Sequence, residues 1–124
     1  MKNTIIAVSL VLPLAFASCT PEEGLGGKAE IKGLAAHHSL AIPECRVFIK
    51  YGVFSSPGTD PGLYDDSTLA GNDGRFVFSE LQKGSYYLYG IGYDSTIGMP
   101  VTAGIPVILE EKKQSIEVLL PVTE

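Results

Sequence analysis

The stretch Asn72-Asp73-Gly74-Arg75-Phe76-Val77-Phe78, continued after Ser79-Glu80 by Leu81-Gln82-Lys83-Gly84-Ser85-Tyr86-Tyr87-Leu88-Tyr89, decides the fold. Phe76 and Phe78 stand two apart, and so do Tyr86 and Leu88. A period of two puts each pair on one face of a strand. Asn72-Asp73-Gly74 accepts the positive φ that tight turns need and predicts a hairpin leading into a strand over 75–79. Lys83-Gly84 turns the chain again. Burying one phenylalanine is worth about 1.5–3 kcal/mol, against a total stability of roughly 5–15 kcal/mol. These four side chains are therefore predicted to lie in the core.

Outward from that stretch the same pattern repeats. Lys28 to Ala36 alternates, with Ala29 and Ile31 against Glu30 and Lys32. In Cys45 to Phe54, Cys45, Val47, Ile49 and Tyr51 share one face, and Arg46, Phe48 and Lys50 the other. Ser55 to Asp66 reads as a loop, Ser67 to Ala70 as a short strand and Ser85 to Tyr93 as a long one. Ile97 to Leu109 carries Gly104 and Pro106, which predicts an edge strand or a bulge. Ser115 to Val122 closes the chain. No helical period stands out. About seven short strands between Gly, Pro and Asp turns predict an all-β sandwich of two antiparallel layers.

Composition sets outer bounds. The chain has 124 residues, 45% of them hydrophobic, with 14 acidic against 9 basic side chains and a net charge of −5. One core is the expectation at this length. The acidic balance argues against nucleic acid, whose phosphates require a basic patch. The apolar content argues against disorder.

The start carries an address. Met1-Lys2-Asn3-Thr4 precedes Ile5 to Ala17, an apolar run too short to span a bilayer, which takes about 20 residues. A basic start, a short apolar stretch and then small residues make a secretory signal. Leu14-Ala15-Phe16-Ala17-Ser18-Cys19 resembles a bacterial lipobox, although Phe16 stands where leucine is usual. The resemblance implies cleavage before Cys19 and a diacylglycerol on its sulfur, with the membrane as partner. Two or three acyl chains hold firmly where one holds marginally. Residues 1–18 are then the signal peptide, 19–27 a flexible Pro/Gly/Glu tether and 28–124 the domain. Glu22-Glu23 after the cysteine resembles the surface-export signal of Bacteroidetes lipoproteins, which implies an outer-membrane location. Cys45, left without a partner, is expected to be a core thiol.

Asn72-Asp73-Gly74, Phe76-x-Phe78, Leu81 and Gly84-x-Tyr86-x-Leu88 together resemble the carboxypeptidase-regulatory-like pattern. The resemblance covers about residues 28–122 and implies a transthyretin-like Greek-key sandwich of about seven strands. It says almost nothing about function. The related CnaB-type domains form Lys–Asn crosslinks, but Asn72 is the one asparagine after the signal and lies in a turn.

No metalloprotease helix motif, nucleophile elbow, phosphate loop or cofactor motif is present. No residue is assigned a catalytic or metal-binding role. His37 and His38 are expected in a loop. Asp60, Asp65, Asp66 and Asp73 have the oxygen chemistry of a calcium site without EF-hand spacing, and read as turn acids. The sharpest feature is Tyr87, Tyr89, Ile91 and Tyr93, which share one face of a strand. With Tyr86 and Leu88 inside, this row faces outward and Gly90 and Gly92 inward, making room for opposing bulk. An outward aromatic row offers a platform for a partner protein or for sugar rings. It could instead be covered by neighbouring strands or the long loops, or the faces could be inverted. The expected function is a lipid-anchored, non-catalytic envelope module that docks a protein, with glycan binding on the same face as the alternative.

Overall fold

The computed structural model describes residues 22–124. The signal peptide, Cys19 and the first residues of the expected tether lie outside the described residues. Eight strands follow: β1 (Leu25–His37), β2 (Leu40–Ala41), β3 (Arg46–Tyr51), β4 (Asp66–Leu69), β5 (Arg75–Leu81), β6 (Gly84–Asp94), β7 (Met99–Leu109) and β8 (Ser115–Pro121). One sheet has β1 at its centre, flanked by β5 and β8, with the two-residue β2 folded back on the end of β1. The other runs β4-β3-β6-β7. The fold is an all-β sandwich, as the alternation predicts.

The two phenylalanines and the Tyr86–Leu88 pair meet across the core from opposite sheets. Phe76 and Phe78 lie edge to face, with centroids 6.1 Å apart, and are buried on β5. Gly33 leaves their space free, since a Cβ there would stand 2.1 Å from the Phe76 ring. From the second sheet, Val47, Ile49, Tyr86, Leu88 and Val107 complete the core. Tyr51 packs edge-on against Tyr86. The Tyr86 ring is fully buried, and its hydroxyl has backbone partners on both sides. It donates to the Gln82 carbonyl and accepts from the Gly24 N–H at 3.0 Å. Buried hydroxyls need such partners, because an unpaired one costs about 1–3 kcal/mol. The arrangement resembles the tyrosine corner of other sandwiches.

The strand layout departs from the sequence reading in four places. The first sheet is mixed: β8 runs parallel to β1, from Glu30 opposite Ser115 to Ala36 opposite Pro121. The preceding strand β7 belongs to the other sheet, so no hairpin imposes an antiparallel return. The turn at 71–74 closes no hairpin, because β4 and β5 lie in different sheets. The Gly74 N–H bonds the Gly71 carbonyl at 3.0 Å and the Gly71 N–H bonds the Arg75 carbonyl, with Gly74 at φ 78°. This tight corner carries the chain from one layer to the other. Leu25–Gly27 belong to β1 rather than to a tether, tied down by the Gln82 N–H to the Gly24 carbonyl at 2.8 Å. The register break falls between β1 and β5, where both Leu25 and Ala29 face Leu81 and Glu80 takes φ 57°. By contrast β7 pairs with β6 without interruption and, as expected, is an edge strand. On its outer side Thr102 exchanges two backbone hydrogen bonds with Thr123, at 2.8 and 2.9 Å.

Truncation at either layer opens a cavity under the other. Phe76→Ala and Leu88→Ala should each lower stability by about 2–5 kcal/mol in denaturant unfolding. Unchanged midpoints for both would refute this core.

Candidate functional site

β6 decides which tyrosines are available. Its burial alternates, with Tyr86, Leu88 and Gly90 inside and Tyr87, Tyr89 and Ile91 half-exposed on the other side. A Cβ at Gly90 would lie 2.4 Å from the Leu120 side chain, and one at Gly92 would lie 2.8 Å from Ile42. The narrow inner side of the strand therefore seats bulk from the facing sheet, as the two glycines predict. Tyr87, Tyr89, Ile91 and Tyr93 face away from the core, and the sequence assignment of the two faces is correct.

Strand pairing places their neighbours. Across β3, Lys50 is opposite Tyr87, Phe48 opposite Tyr89 and Arg46 opposite Ile91. Across β7, Pro106, Gly104, Thr102 and Pro100 stand opposite Tyr87, Tyr89, Ile91 and Tyr93. The Tyr87 ring lies over Gly104, where a Cβ would come within 2.3 Å of its hydroxyl. The row is neither bare nor fully covered. The β3–β4 loop folds Tyr64 onto it, stacked on Tyr89 at 5.8 Å and 20° and tilted against Phe48 at 5.9 Å. The Tyr64 hydroxyl donates to the Gly58 carbonyl at 2.8 Å, which holds the ring in place. Burial raises its phenol pKa. Tyr93, beyond the reach of this loop, keeps 56% of its surface exposed. Sequence reading missed Tyr64, which sits alone in a loop with no periodicity to assign it a face.

The charges on this side are few. Asp65 accepts from the Tyr51 N–H at 2.7 Å and lies 3.5 Å from the Lys50 ammonium. Arg46 is exposed, and among the described residues it forms no ion pair with a carboxylate. Leu69 at its side on β4 is also open to solvent.

A second cluster lies at the end of the sandwich beside Tyr93. His37 is the last residue of β1 and is buried rather than in a loop. His38 turns with φ 58°, so the two rings come to 4.3 Å instead of facing apart. His37 Nδ1 bonds Asp94 at 2.8 Å, and its Nε2 sits 2.8 Å from Glu124 without hydrogen-bond geometry. Asp94 also accepts from the backbone and hydroxyl of Thr96. His37 and then Thr96 hold the Asp94 carboxyl at about 2, well under its ordinary 3.8, against the opposing effect of burial. The Asp94 bond raises the His37 pKa, and burial opposes it. In a hydrolytic triad the distal histidine nitrogen meets a hydroxyl or thiol; here it meets a carboxylate. The cluster joins β1, β6 and the C-terminal residue.

The loop acids are spent locally. Asp60 accepts from the Gly62 N–H, Asp66 from Ser67 and Asp73 from Arg75. Among the described residues no group of three potential ligands could hold a metal ion. Cys45 is fully buried, and burial pushes its thiol pKa up to about 11. A groove of about 620 Å³ lies at the opposite end, between Glu23, Lys83, Leu109 and Lys112, away from the tyrosine row.

No protein-family model matches the sequence, and no curated protein matches it. Among solved structures, a candidate carbohydrate binding protein from Pseudomonas aeruginosa aligns with a TM-score of 0.52 and 18% identity, covering 89% of this chain and 97% of its own. At that identity the likeness establishes a shared sandwich fold.

The buried ion pair has a signed pH dependence. Asp94 contributes stability above its ordinary pKa of 3.8 and loses it as the pH falls toward about 2. His37 contributes fully below its ordinary 6.5 and loses that contribution as the pH rises through its higher folded value. His37→Gln should therefore melt well below the parent near pH 5–6, with the gap narrowing on the alkaline side. A gap independent of pH from about 5 to 9 would show that the pair is held by packing alone.

Proposed function

We propose that this chain is a non-catalytic carbohydrate-binding module of the bacterial envelope, anchored by lipid on Cys19. The observation that carries the reading is the outward row Tyr87, Tyr89, Ile91 and Tyr93, left open at Tyr93 and extended by Tyr64. Sugar rings stack their C–H faces on flat aromatic side chains and need polar groups at the margin for their hydroxyls. Here the margin is Arg46, Lys50, Asp65, Ser67 and Thr102. At about 3.4 Å per residue, Tyr87 to Tyr93 spans on the order of 20 Å, room for a short saccharide chain. The likeness in fold to a candidate carbohydrate binding protein supports the same reading. So does the resemblance to carboxypeptidase-regulatory-like domains, which implies a scaffold rather than a reaction centre.

Protein docking on the same face is the second reading. Leu69 and Ile108 are exposed on the same face as the row and enlarge its apolar area, which suits a protein surface better than a sugar. A glycan array probed with the parent and with the Tyr87→Ala/Tyr89→Ala/Tyr93→Ala variant separates the two. Retention of the parent on glycans, lost by at least tenfold in a variant that still melts cooperatively, is expected. Absence of parent binding to every glycan, with a membrane protein recovered instead by crosslinking through this face, would favour docking.

The anchor has its own test. Cys19→Ser should move the protein from the membrane to the soluble fraction and abolish an acyl mass increment on the mature chain. An unmodified thiol at Cys19 in the parent protein would end the lipoprotein reading.

A further inference from the structure

We propose that the saccharide recognised by this face is acidic, with a uronic-acid carboxylate bound by Arg46; this rests on the carbohydrate reading above. The chain as a whole carries −5, so an unmatched cation beside the aromatic row runs against its overall balance. Of the β3 residues that pair with the row, Arg46 and Lys50 are charged. Lys50 and Asp65 lie 3.5 Å apart and offset each other. Arg46 remains, exposed and without a carboxylate partner among the described residues.

Its register position favours a shared ligand. Arg46 stands directly opposite Ile91, and is therefore diagonal to both Tyr89 and Tyr93. Direct neighbours on one face lie about 5 Å apart and diagonal ones about 7–8 Å, within the reach of a long side chain. A pyranose stacked on Tyr93, the most open ring of the row, would bring a ring substituent over Ile91 and within reach of the guanidinium. The planar guanidinium fork grips a carboxylate through two parallel hydrogen bonds, where a neutral hydroxymethyl offers one acceptor. The same residue would thus select acidic over neutral sugars of one skeleton.

The test is an array of galacturonan, alginate, glucuronoxylan and hyaluronan, each printed beside its carboxyl-reduced neutral form. It is probed with the parent, Arg46→Gln, Arg46→Lys and the triple tyrosine variant, all checked for parent-like melting. The parent should bind at least one acidic form roughly tenfold better than its reduced partner. Arg46→Gln should erase that preference, Arg46→Lys should restore part of it, and added salt should weaken it. Equal binding to acidic and reduced forms, or an Arg46→Gln variant that keeps the preference, overturns the acidic proposal and leaves carbohydrate binding standing. No binding to any glycan by the parent overturns both.

Discussion

The Tyr86 hydroxyl holds the register on which everything else depends. It sits in the core with the Gln82 carbonyl on one side and the Gly24 N–H on the other. One partner belongs to the crossing between the sheets and the other to the entry of β1. A slip of β6 by one residue would break both bonds and turn every side chain of the strand over. Tyr86 and Leu88 would then leave the core, and Leu120 would lose the space at Gly90. The outward tyrosines are therefore a by-product of a strongly specified inward face. Their exposure is bound up with the same bonds that stabilise the sandwich.

The platform itself combines a fixed floor and a pinned cover. The floor is β6 with its neighbours β3 and β7, where Gly104 admits the Tyr87 ring flat against the sheet. The cover is Tyr64, delivered by a loop whose short helical turn over 61–63 is capped by Asp60. Stacking on Tyr89 removes part of that ring from water and leaves Tyr93 as the open end. The result is a graded surface, buried toward Phe48 and exposed toward Tyr93.

Much of this could be read from residue spacing. The two-residue period of Phe76, Phe78, Tyr86 and Leu88 identified the core, and the same arithmetic separated Tyr87 from Tyr86. The inward glycines at 90 and 92 followed, because alternation is local and needs no knowledge of partners. What spacing could not reach was pairing. The turn at 71–74 has the chemistry of a hairpin, yet the strands it joins are in different layers. Turn residues fix a local bend and not the sheet into which the next strand is drawn. The parallel match of β1 with β8 is equally non-local. His37 was misplaced for a related reason: its partners Asp94 and Glu124 are 57 and 87 positions away. Tyr64 had no repeating neighbours to give it a side.

The outer margin of β7 has a consequence for how copies of the molecule coexist. Its even-numbered backbone groups from 100 to 108 point away from β6, as the Thr102 bonds to Thr123 show. Pro100 and Pro106 have no N–H there, and the Thr102 donor is taken, so only Gly104 and Ile108 keep one to offer. A foreign strand laid along this side would find a backbone donor at only two of the five outward positions. Crowding would therefore not zip neighbouring molecules together through this rim.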